Sequence, residues 1–190
     1  MADKDAIGER GRALEEDYFR KKDRELVEKM RRASESEQNR QRMGQATGLS
    51  DPAVLTELEE LGFTADTIAL LPLVPVLQMA WAEGGVTHEE RDMLVQLARS
   101  RGIAEGTPAD RQLSSWMATR PDEAVFSRAG RLIRALLDTG APGTLTAEDV
   151  VQQAEKIAAV SGGFLGIGRI SAEEKALLST IANDLRARKG

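Results

Sequence analysis

A chain of 190 residues with 41 % apolar side chains suits one domain, or one domain with an appendage. Aromatics make up only 4 %, and good helix formers such as Ala, Leu, Glu, Arg and Gln outweigh β-branched runs, which argues for helices and against a sheet-built core. A net charge of −5 leaves no surplus of cations for non-specific nucleic-acid binding, and the lack of cysteine excludes disulfides, thiolate nucleophiles and Cys-ligated zinc.

The first twenty residues contain no apolar stretch of the kind a signal peptide needs. The longest apolar run, 68–81, is too short to span a bilayer and carries Pro72 and Pro75. The expectation is a cytoplasmic protein with no transmembrane segment.

Composition changes near residues 44–50 (GQATGLS), a break of the kind that separates helices. Residues 1–47 hold 12 basic and 11 acidic side chains, leaving 14 and 20 of the chain's 26 and 31 for residues 48–190. The expected organisation is therefore a charged helical arm, 1–47, and an all-α body, 48–190. In the arm Leu14, Tyr18, Leu26 and Met30 fall at multiples of four, with Phe19 and Val27 alongside. This thin apolar stripe lies on a helix supported by pairs such as Asp17–Lys21 and Glu25–Lys29. So narrow a stripe buries little surface alone, so the arm is frayed, paired with another helix or docked on a partner.

The body reads as capped helices in series. Ser50 precedes Val54, Leu55, Leu58 and Leu61, with Gly62 at the helix end. The next stretch is apolar all round, as a central buried helix would be, and should break at Pro72 and Pro75. Thr87 and Glu90 form a capping box ahead of Met93, Leu94 and Leu97. Thr107-Pro108 opens another helix, Pro121 the next, and Thr146 with Asp149 a further one. Ser171 and Glu174 make a second capping box before Leu177, Leu178 and Ile181. Trp81 and Trp116 lie on apolar stripes and read as core. Ser114 and Ser115 have no base in any recognisable motif, His88 is a lone histidine at an exposed first-turn position, and acid pairs such as Glu59-Glu60 read as solvated surface.

The two capping boxes belong to matching segments, 85–98 and 169–182, each preceded by a helix and a glycine-containing loop. The segments AWAEGGVTHEERDMLVQLA and AAVSGGFLGIGRISAEEKALLSTIA resemble the paired signature of TerB-like domains, found also in DjlA-type co-chaperones. The resemblance covers roughly residues 50–187. It implies a helical bundle of two helix–loop–helix repeats, an association with tellurite resistance and stress responses, and a neighbourhood of membrane-associated complexes. Some such domains are thought to bind metal through acidic loop residues. The loop Asp-Gly of the family is Glu83-Gly84 here, and the second loop has no acid. For a weakly held divalent cation the matched segments offer Glu83, Glu89, Glu90, Glu173 and Glu174; the competing reading of the last four is that they cap helices and complement the helix dipole.

In the arm Gly8, Arg10, Ala13, Glu15, Glu16, Tyr18, Phe19 and Arg20, continuing to Arg24 and Glu25, resemble the inhibitory helix of the mitochondrial ATPase inhibitor protein. That resemblance implies docking between catalytic subunits of an F-type ATP synthase through Glu15, Glu16, Tyr18, Phe19 and Arg20. The histidine-containing coiled coil of that family has no counterpart. A second contact candidate is 162–168, where Phe164, Leu165 and Ile167 alternate with glycines. They either plug the end of the bundle or meet a partner or membrane; no phosphate-loop Gly-Lys-Ser/Thr is present. The expected function is a non-enzymatic interaction or scaffold protein with a docking helix, and the alternative is an ATP synthase inhibitor.

Overall fold

The computed structural model describes residues 3–140, 146–161 and 172–186. Among them every regular element is helical and no strand occurs. The centre is the proline-bearing apolar run. Pro72 has no N–H to give and Pro75 suits only a helix's first turn, so the run divides. A 3₁₀ segment covers Ile68–Leu73, and α3 restarts at Val74–Ala80 with Pro75 at its beginning. Leu70, Leu71, Leu73, Val74, Val76, Leu77 and Met79 are all buried, as expected of a helix with no polar face.

Four helices enclose this centre: α4 (His88–Ser100), α6 (Glu123–Leu137), α7 (Ala147–Ser161) and α8 (Ala172–Arg186). Helix α7 packs most extensively on α3, bringing together the helices that precede the two matching segments. Helix α5 (Pro108–Ala118) closes on the 3₁₀ segment. There Trp116 meets Phe63 edge-on at 5.6 Å, and the Trp81 indole N–H donates to the Trp116 carbonyl at 2.9 Å. Both tryptophans therefore serve the core, with Trp116 buried and Trp81 half-buried.

Most of the helix ends follow the sequence reading. The Thr87 hydroxyl accepts from the Glu90 amide while the Glu90 carboxylate accepts from the Thr87 amide and hydroxyl, so both arms of the box are made. Thr107 caps α5, with Pro108 in its first turn. Thr146 and Asp149 bond reciprocally at the start of α7. Gly62 and Gly102 end α2 (Pro52–Glu60) and α4 with φ of +85° and +78°, letting Phe63 and Ile103 donate back to Leu58 and Ala98. Two starts differ from expectation. Asp51, not Ser50, caps α2, because Pro52 takes the first helical position and the cap must immediately precede it. Asp122, not Pro121, sets the start of α6, by accepting from the Ala124 amide; Pro121 is buried one residue earlier. Ser171 lies outside the described residues.

The long N-terminal helix α1 (Asp3–Thr47) ends inside the body. Met43 is completely buried and Thr47 nearly so, and the helix packs mainly on α2. The turn after it is tied to α6 where the Thr139 hydroxyl donates to the Thr47 carbonyl.

Helices α6 and α8 cross closely at Gly130, where an added Cβ would stand 2.7 Å from the Asp184 Cβ. Gly130→Ala should therefore push the helices apart and cost about 1–3 kcal/mol in thermal unfolding, as overpacking does; an unchanged melting temperature would show a looser crossing. A second test concerns the α4–α5 connection. The Asp110 carboxylate accepts from the Gly106 amide at 2.8 Å and from Arg99 at 2.7 Å, and that amide together with Arg99 holds it below the usual carboxylate range. A carboxyl depressed in the folded state stabilises above its unfolded value and loses that contribution as pH falls through its folded one. Asp110→Asn should accordingly be less stable than the parent at pH 7, with the gap closing as both are acidified below about pH 4.

Candidate functional site

The five glutamates proposed for a cation are distributed rather than gathered. Glu83 and Glu89 are exposed around the α3–α4 loop, and Glu173 is exposed at the start of α8. Glu90 and its counterpart Glu174 are each 1 % exposed, and the Glu90 carboxylate is turned onto Thr87. Among the described residues no group of three or more His, Asp or Glu side chains is placed to hold a metal ion. His88 stands 3.6 Å from Asp92 on the solvent side of α4. Ser114 and Ser115 are exposed on α5. Phe164, Leu165 and Ile167 lie outside the described residues.

The first part of α1 is different. Residues 15–35 are exposed apart from Glu28, which is half-buried. Tyr18, Phe19, Leu26, Val27 and Met30 are 56–65 % exposed, and they are the exposed large apolar side chains among the described residues. Tyr18 and Phe19 meet edge-on at 5.9 Å, and the Lys22 ammonium stands 5.7 Å from the centre of the Tyr18 ring. Glu15, Glu16 and Arg20 share this exposed stretch, with Arg20 bound to Glu16 at 3.0 Å. The helix is supported by local ion pairs: Glu16–Arg20, Lys22–Glu25, and Arg31 and Arg32 on Glu28. With Arg31–Glu35 at 3.4 Å, these pairs, and not the expected Asp17–Lys21 and Glu25–Lys29, are the ones formed among the described residues of this stretch. On a solvated helix such pairs are individually weak and screened by salt.

Residues 36–47 form the anchor, and most of it is polar. The Glu59 carboxylate accepts from the Ser36 hydroxyl at 2.7 Å, Arg40 at 2.6 Å and Asn39 at 3.4 Å. Asn39 also accepts from the Ala65 amide at 3.0 Å, and Arg42 pairs with Asp66 at 2.8 Å. Burial alone would raise the Glu59 carboxyl, but the Ser36, Arg40 and Asn39 hydrogen bonds outweigh it and hold the group below its ordinary value. Glu59 is therefore the joint between arm and body, not part of the solvated acid pair expected from composition. Its signal in the sequence is slight, since the residues that meet it are as polar as their neighbours.

No family model, curated protein or solved structure matches this chain. No helix among the described residues is long and apolar enough to cross a membrane.

The division between exposed stretch and anchor can be tested by truncation. Removing residues 1–34 should leave the body's melting temperature within about 2 °C, as expected when only unpartnered surface is lost. Removing 1–47 deletes Met43 as well and should cost at least about 2 kcal/mol, a fall of roughly 5–10 °C for a domain of this size. Equal effects would show that the anchor does not belong to the core.

Proposed function

We propose that this protein is a non-enzymatic interaction protein: a TerB-like helical body that presents its N-terminal helix to a protein partner. The observation that carries the reading is where apolar surface is left in water. The described body hides its large apolar side chains, whereas residues 15–35 leave Tyr18, Phe19, Leu26, Val27 and Met30 exposed on a helix with no partner of its own over that stretch. Exposed aromatic and aliphatic side chains on one rigid element are the usual anchors of helix-in-groove recognition. The stress-associated, tellurite-resistance setting rests on the resemblance of the matching segments alone.

The same side chains support a second reading, in which the partner is an F-type ATP synthase and the helix inhibits it. Tyr18, Phe19 and Arg20, the residues that carry the resemblance to the ATPase inhibitor protein, are all exposed and available for docking.

One titration separates the two readings. Full-length protein added to purified F-type ATP synthase should slow ATP hydrolysis, and Tyr18→Ala/Phe19→Ala should weaken the effect at least about tenfold, as loss of hot-spot aromatics does. A flat titration sinks the inhibitor reading and leaves the scaffold reading standing. The scaffold reading has its own check. Partners captured by the full-length protein should be lost by a Tyr18→Ala/Phe19→Ala/Leu26→Ala variant of unchanged melting temperature. If both capture the same partners, the exposed helix is not the interface.

A further inference from the structure

The joint between α1 and the body has a construction that the docking reading does not require. Helix α2 is only nine residues long, and it is charged on two faces. Glu57 and Glu59 are two positions apart, which on an α-helix turns their side chains about 200° from one another. Glu59 faces α1, where it receives Ser36, Asn39 and Arg40. Glu57 faces α6, where it pairs with Arg131 and lies 3.7 Å from Arg128. Between these faces Leu55 and Leu58 fix α2 to the core.

On α1 the supports are unequal along the helix. The far end is fixed by apolar packing and a bond to the turn after α6: Met43 is buried, the Thr47 carbonyl accepts from the Thr139 hydroxyl, and Leu49 is buried just beyond. One to two turns earlier the hold is through hydrogen bonds and charge, at Glu59, Asp66 and the Ala65 amide. Earlier still, residues 15–35 lie in solvent. A rigid rod fixed at one end and held only by polar contacts beside that end behaves as a lever, with the polar contacts setting its angle. The exposed part from residue 15 to residue 35 is about 30 Å long at 1.5 Å per residue, so a small tilt at the joint carries its far end a long way.

We propose that Glu59 is the clasp of a swivel: it holds α1 at one angle to the body, and breaking its contacts frees the helix to pivot about residues 43–49 while α2 stays paired with α6. The clasp operates whatever the exposed helix binds, and it would survive failure of either functional reading.

The chain has no cysteine, so labels can be placed at will. Asp23→Cys on the exposed helix and Gln96→Cys on α4, both at exposed positions, carry a spin-label pair whose distance distribution is read by pulsed electron resonance on the full chain. The labelled parent should give one narrow distribution. Glu59→Gln in that background should broaden it while the melting temperature of the body stays close to that of the parent. Arg131→Gln, which weakens the opposite face of α2, should leave it narrow. High salt should broaden the parent distribution, and the milder Asp66→Asn should broaden it partly if Glu59→Gln folds poorly. The swivel is overturned if the parent is already as broad as Glu59→Gln, if Glu59→Gln and Asp66→Asn both leave the distribution unchanged, or if Arg131→Gln broadens it equally.

Discussion

Residues 68–80 are almost wholly apolar, and the body is arranged around hiding them, leaving only Ala69 exposed and Pro72 and Gln78 half-buried. A helix apolar all round must be surrounded, and a stretch containing two prolines cannot be one long helix. The 3₁₀ segment and the short α3 are the compromise, with α4, α6, α7 and α8 as the enclosing layer. The paired arrangement of the matching segments follows from the same need. The first, with the helix before it, supplies the central α3 and the wall helix α4, the second likewise supplies α7 and α8 to the wall, and α3 lies against α7. The buried glutamates at the third position of α4 and α8 sit where a first-turn carboxylate can serve exposed helix amides, which makes their burial tolerable.

The arm obeys different physics. Over residues 15–35 it is held as a helix by backbone bonds and short-range ion pairs, with no packing against the body. Such helices are marginal when isolated, and continuity with the anchored residues 36–47 supplies a fixed turn from which the rest can propagate without a new nucleation event. The anchor therefore both positions the arm and helps it stay helical.

Much of the body could be read from the sequence because its signals are local. A hydroxyl followed three residues later by a carboxylate marks the starts of α4, α5 and α7, and the glycines after α2 and α4 mark their ends. Where two cap-forming residues were adjacent, as in Ser50-Asp51, the proline that followed held the answer, since a proline at the first helical position requires the cap just before it. The Glu59 joint was not legible. Hydrophobic periodicity finds apolar contacts, and Ser36, Asn39, Arg40 and Arg42 form this one with polar atoms; Met43 alone carried an apolar signal. The exposed row on the arm was visible as a thin stripe, but a stripe does not say whether it is covered. Only the placement of α1 beside α2 leaves residues 15–35 in solvent.

The aromatic residues are divided in a way that has a use of its own. Both tryptophans belong to the body, joined by the bond from the Trp81 indole to the Trp116 carbonyl, whereas the chain's single tyrosine, Tyr18, stands on the exposed helix beside Phe19. Emission excited selectively at tryptophan therefore reports on the body alone. The ultraviolet absorption fine structure of the tyrosine reports on the arm. The molecule carries separate optical labels for its two working parts without any chemical modification.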